Sequence, residues 1–204
     1  MDGKELVSGA AYDVYMDIKK RTNGEIYFGV VGPVRTGKST FIKRFMELCV
    51  LPSMKDDNKR KRAQDELPQS SGGTTVMTVE PKFIPSEPAL ISPFEGINMK
   101  VRLVDCVGFM VEGANGHLDN GKERMVKTPW DTKEIAFSKA AEIGTKKVIN
   151  DHSTIGIVVT TDGSFTEIDR TNYIVAEKKT INELKKINKP FVVICLLYTS
   201  DAAD

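Results

Sequence analysis

Histidine, tryptophan and cysteine are scarce in this chain, with two, one and three residues among 204. Cys49, Cys106 and Cys195 are scattered without metal-ligand spacing, and their odd number offers no disulfide framework, so the sequence predicts reduced thiols in a cytoplasmic protein. His117 and His152 have no paired ligand beside them in the sequence and read as surface or turn residues. An excess of one charge is also lacking: 29 Lys and Arg offset 28 Asp and Glu for a net +1, which argues against a nucleic-acid partner. No apolar run approaches the roughly 18 residues needed to cross a bilayer. Nor do the first residues carry the basic-then-apolar pattern of a signal peptide. What the chain does have is 40% hydrophobic and 28% charged residues, the balance of one soluble globular domain with insertions.

The most informative stretch is Gly32-Pro33-Val34-Arg35-Thr36-Gly37-Lys38-Ser39, which matches G-x-x-x-x-G-K-[ST] at every fixed position. Such a loop needs a buried strand before it and an amphipathic helix after it. Ile26 to Val31 is a short apolar, β-rich run. Beyond the loop, Phe41, Ile42, Phe45 and Leu48 fall on one helical stripe, with Lys43, Arg44 and Glu47 off it. Glycines let successive main-chain N–H groups converge, and the helix N-terminus adds about half a positive charge, so the stretch from Gly32 through Ser39 to Thr40 predicts a phosphate nest. Lys38 is expected to reach the β- and γ-phosphates, and the Ser39 hydroxyl to ligate Mg²⁺.

Two further segments come in the order that a phosphate-sensing switch requires. Gly-preceded threonines, Thr74 to Thr78, enter an expected strand running to Ile84; Thr75 and Thr78 are the candidates to sense the γ-phosphate through the metal. Met99 to Val104 alternates, then turns apolar, and ends at Asp105-Cys106-Val107-Gly108. A strand-end carboxylate three residues before a glycine is the Walker B and switch arrangement: Asp105 holds the metal's water shell and the Gly108 N–H can meet the γ-phosphate.

Elsewhere the sequence predicts framework. Ala11 to Ile18 repeats at helical spacing, and Lys59 to Arg62 reads as a solvated helix face. Phe109 to Glu134 reads as a Gly-rich, irregular excursion whose Trp130 packs the loop. Helices are expected over Ile135 to Asn150 and Tyr173 to Lys186, the second turning Ile174, Ile181, Leu184 and Ile187 inward. Strands are expected over Ile155 to Thr160 and Phe191 to Leu196. This β-helix-β alternation calls for an α/β fold with a mostly parallel sheet covered on both sides. A guanine-specific switch would show N/T-K-x-D after the last strand, and Leu197 to Asp204 does not; Asn188-Lys189 precedes the strand and so lies at the wrong end.

Taken with Gly32 to Leu48, the segments Arg62 to Ser70, Glu80 to Phe83, Arg102 to Gly108, Ala141 to Thr145, Ser153 to Gly156 and Thr160 to Gly163 closely resemble the stage IV sporulation protein A family. The resemblance implies a P-loop NTPase of the GTPase-like (TRAFAC) three-layer sandwich that hydrolyses ATP with Mg²⁺. It implies Lys38 and Ser39 as nucleotide and metal residues, Asp105 as the Walker B acid and Thr78 as a sensor threonine. It also implies subunits that polymerise on the forespore outer membrane, in the mother-cell cytoplasm, as the base of the spore coat. Coat proteins and a small membrane-bound peptide would be met through regions outside this chain. A guanine-nucleotide switch of the same fold is the alternative. Two departures stand out. Thr74-Thr75 and Thr78-Val79-Glu80-Pro81 occupy places where the family has a Lys-Thr pair and a Thr-Thr-Glu-Pro segment. The tail Leu197 to Asp204 reads as foreign, like translated sequencing adapter, so residues 1–196 are expected to form an ATPase domain cut short before its last strand and helix.

Overall fold

The computed structural model describes residues 20, 22–68, 79–94, 97–119 and 121–197. Strand β1 (Glu25–Val31) leads through the Gly32–Gly37 loop into helix α1 (Lys38–Phe45). A π-helical turn, Met46–Val50, and a 3-10 turn, Leu51–Ser53, prolong α1 before the charged helix α2 (Asp57–Asp65). Next come β2 (Lys82–Phe94), β3 (Ile97–Asp105), two small hairpins built from β4 (Leu118–Asp119), β5 (Lys122–Glu123), β6 (Met125–Thr128) and β7 (Asp131–Ala136), and helix α3 (Phe137–Lys147) with its own π-helical end, Val148–His152. Strand β8 (Ile155–Thr161), helix α4 (Arg170–Lys186) and strand β9 (Phe191–Leu196) complete the described chain.

One sheet, in the order β2-β3-β1-β8-β9, organises these pieces; β2 runs antiparallel to β3 and the other pairs are parallel. Successive residues on a strand point to opposite faces, so each central strand feeds two cores. Val30, Leu103, Ile157 and Val159 pack with Ile42 and Met46 of the α1 layer. Val31, Val104 and Val158 pack with Val148, Tyr173 and Leu184 of the α3 and α4 layer. This is a mixed α/β fold with a mostly parallel central sheet between helical layers, as the alternation of elements predicts. The N-terminal repeat Ala11 to Ile18 lies outside the described residues.

Several helical faces differ from the expected ones. Leu48 is 71% exposed because the π-helical turn rotates the chain, placing Met46 and Val50 against the core instead. Helix α4 buries Tyr173, Ala176, Thr180 and Leu184, while Ile174 and Ile187 stay exposed; only Leu184 of the expected four is fully inside. Small Ala176 and Thr180 let the helix lie close to the sheet, where Gly156 leaves room for Leu184. Ile135 and Ala136 belong to strand β7, not to the helix that follows. Strand β2 starts later than expected and continues through Pro85 and Pro88, residues tolerated because β2 is an edge strand with a register shift between Ile84 and Ala89.

Candidate functional site

Parallel strands β1, β3 and β8 all finish at one edge of the sheet, and the loop Gly32–Gly37 crosses that edge. The register sets Asp105 directly opposite Val30, so the last residue of β3 comes alongside the root of the loop. That is where open α/β sheets bind ligands, beyond the carboxyl ends of the strands. Gly37 caps α1 in a left-handed conformation (φ 85°), and Arg35 is left-handed as well (φ 62°). Among the loop residues Pro33, Val34 and Thr36 are buried, whereas Ser39 and Thr40 on the first turn of α1 face solvent.

The loop closes on its own lysine. Lys38 is 5% exposed and its Nζ donates to the Pro33 carbonyl at 2.6 Å, an acceptor shared with Thr36 Oγ1 at 3.0 Å. Burial pulls the Lys38 ammonium below the usual lysine range, against the opposing charge of Asp105. The Ser39 hydroxyl donates to Asp105 Oδ2 at 2.9 Å, joining the two expected metal residues across 66 positions of chain. Asp105 Oδ1 is buried without a hydrogen-bond partner. Burial raises the Asp105 carboxyl, partly countered by the charge of Lys38 and the bond from Ser39. A hard cation seeks oxygen ligands, so a hydroxyl beside a carboxylate with an unused inward oxygen fits Mg²⁺. The neighbouring Cys106 thiol is pushed up to about 11 by burial, which keeps it protonated and inert at neutral pH.

Gly108 lies against the same lysine. A Cβ there would come within 2.3 Å of the Gly32 carbonyl oxygen and 2.7 Å of Lys38 Nζ, and φ is +100°, so only glycine fits. Phe109 then bonds the loop on both sides: its N–H donates to Gly32 O at 3.2 Å, and its carbonyl accepts from Val34 N at 2.8 Å. Just past this turn, an open hollow of about 460 Å³ is lined by Met110, Glu112, His117, Leu118, Glu123 and Ser138.

The family model described as stage IV sporulation protein A, ATPase domain, matches residues 10–203. The chain belongs to the stage IV sporulation protein A family. Over 182 residues it is 58% identical to stage IV sporulation protein A of Clostridioides difficile (strain 630), 57% to that of Bacillus anthracis and 55% to that of Bacillus subtilis (strain 168). Each match takes in 89% of this chain and 37% of the relative, so the chain spans little more than a third of the length of these curated proteins. The matched family segment is an ATPase domain, and nucleotide binding is the property it brings to the fold.

Among the residues expected at this family's site, Gly32 to Thr40, Asp105 and Gly108 meet at one edge of the sheet. Thr75 and Thr78 lie outside the described residues. Asn188-Lys189 sits at the opposite end, where the Lys189 ammonium caps the Val148–His152 turn through the carbonyls of Ile149 and Ser153. Trp130 packs on α3, near Gly144 and under Lys147. Sequence reasoning missed Phe109 and its partners; its position directly after the D-x-x-G glycine was the available signal. None of the described helices is long and apolar enough to cross a membrane.

Proposed function

We propose that this chain is a P-loop ATPase domain working with Mg²⁺, within a protein that polymerises on the forespore outer surface as the basement layer for coat assembly. The observation that carries the enzymatic part is the convergence of a buried Lys38, the Ser39–Asp105 hydrogen bond and the unpartnered Asp105 Oδ1 at the rim of one loop. The sheet order, with β2 antiparallel beside β3, supports a GTPase-like P-loop sandwich. In this reading the Lys38 ammonium leaves the Pro33 carbonyl for phosphate oxygens, and the loop amides and the Gly108 N–H hold the charge of the transferring group. Ser39 and Asp105 would hold the metal, with Thr78 or Thr75 completing the sensor. Mg²⁺, when bound, supplies charge neutralisation between the β- and γ-phosphates. Self-association, contacts with coat proteins and a small membrane-bound peptide, and residence in the mother-cell cytoplasm rest on the family resemblance, with the partner contacts made by regions outside this chain.

ATP hydrolysis by the purified full-length protein and its Lys38→Met variant tests the reading. Removing the ammonium is expected to lower kcat by about a hundredfold or more. The fold is expected to survive, because methionine fills the volume of the lysine stem and the Pro33 carbonyl keeps its bond from Thr36 Oγ1. A correctly folded Lys38→Met protein that hydrolyses ATP at the parental rate overturns the reading. Protection of the parental protein by GTP and not by ATP in thermal melts would favour the guanine-nucleotide switch instead.

A further inference from the structure

Phe109 is held by more than the loop. Its ring is 2% exposed and lies under the Lys179 ammonium, 4.7 Å from Nζ to the ring centroid. Lys179 projects from α4, and its ammonium is also paired with Glu142 Oε2 of α3 at 3.1 Å. Glu142 is itself fixed, since its Oε1 accepts from Lys146 at 2.8 Å. The α4 cation is thereby pinned between an aromatic face from the loop after β3 and a carboxylate from α3. Those helices pack on the α3 and α4 side of the sheet, away from the α1 layer.

The consequence falls on Gly108. Two main-chain bonds attach Phe109 to Gly32 and Val34, both made by the N–H and carbonyl of Phe109 itself. A ring clamped from above adds a third attachment on that side, because tilting the Gly108 peptide would drag the phenyl group from beneath a charge. Cation–π contacts are worth most when the cation is held in place and partly desolvated. We propose that Lys179 is a positioning residue for the proposed ATPase: acting through the Phe109 ring, it holds the Gly108 amide in line with Lys38. Glu142 serves by keeping the ammonium over the ring. The Lys179 ammonium meets Phe109 and Glu142 and reaches the Gly32–Gly37 loop only through the ring, so its effect belongs on the chemical step and not on nucleotide binding. This inference rests on the P-loop reading above.

Steady-state ATP hydrolysis by full-length Lys179→Met, Lys179→Arg and Phe109→Leu variants tests it, with Lys38→Met alongside. Lys179→Met is expected to lower kcat about fivefold, the rate equivalent of a contact worth about 1 kcal/mol, with KM for ATP unchanged. Lys179→Arg keeps both the cation–π contact and the ion pair and is expected to restore kcat. Phe109→Leu preserves an apolar filling but removes the π face; combining it with Lys179→Met should cost no more than the larger single loss, as coupled partners do. A helix-to-helix strut would instead lower the melting temperature while leaving kcat alone. Parental kcat in Lys179→Met, or losses that add in the double variant, overturns the inference. If Lys38→Met is inactive and Lys179→Met is parental, this inference alone fails; if Lys38→Met is fully active, the reading beneath it fails.

Discussion

Lys38 and Glu142 are both charged, and their surroundings act on them in opposite ways. Burial works against the Lys38 ammonium, which has one carbonyl for a partner, whereas two ammonium groups, Lys146 first and Lys179 second, hold the Glu142 carboxyl down to about 2 from 4.5. A group whose folded pKa is depressed adds stability that is fully present above its unfolded value. That stability is lost as pH falls through the folded value, so the window for Glu142 runs from about 4.5 down to about 2. Glu142 is partly exposed and solvent screens it, so the net contribution is about 1 kcal/mol. Glu142→Gln is therefore expected to lower stability by that amount at pH 7, and the gap from the parental chain should close on acidification through the same window. Urea titrations at several pH values check this; a gap that stays constant to pH 2 would show that the two lysines do not grip the carboxylate. Lys38, Ser39 and Asp105 were legible in the sequence because their chemistry is written in short strings whose order is fixed. Phe109, Lys179 and Glu142 were not, because their meeting depends on how α3 and α4 lie across the sheet.

At the scale of elements, periodicity identified which segments are helix or strand better than it identified their buried faces. Two π-helical turns, Met46–Val50 and Val148–His152, each add a residue to a turn and rotate the residues beyond it. Hydrophobic spacing read at a constant 3.6 residues per turn cannot register this, and Leu48 ended outside. The prolines of β2 argue against a strand until its antiparallel edge position is known. Close approach is a further property that a string of letters conceals. Helix α3 carries Gly144 where a Cβ would lie 2.7 Å from the Val79 carbonyl oxygen, the first described residue after the threonine segment. Replacing a helical glycine by alanine ordinarily stabilises by about 0.5–1 kcal/mol, but here the methyl group meets main chain that cannot swing away. Overpacking of this kind costs about 1–3 kcal/mol. Gly144→Ala is thus expected to lower the melting temperature. A variant that melts higher than the parental chain would mean that α3 does not press on that carbonyl.

For the whole molecule, the alternation of strands and helices gave away the parallel half of the sheet, while the two hairpins of residues 118–136 read as irregular chain because their strands are short and polar, even though the sequence places Asn-Gly, a strong hairpin signal, between β4 and β5. The edges of the sheet are treated unequally. Strand β2 is protected by its prolines, its register shift and the ion pairs of Glu87 with Lys59 and Arg62 of α2. Strand β9, among the described residues, pairs only with β8. It exposes Val192 and Val193 by 53% and 51%, and between Phe191 and Leu196 it carries no charge, proline or bulge. An unpaired, apolar and uncharged edge is a template for pairing with another chain. The 204-residue chain by itself is accordingly expected to self-associate in a concentration-dependent manner that ATP does not alter, which makes this association distinct from the polymerisation proposed above. A charged side chain, lysine especially, is one of the ways natural edges are protected, so Val193→Lys should keep the chain monomeric in sedimentation velocity while leaving its nucleotide affinity intact, because β9 supplies none of the Lys38, Ser39 or Asp105 geometry. Association that persists undiminished in Val193→Lys would move the sticky surface elsewhere, to the exposed Leu118 and Met125 of the hairpins.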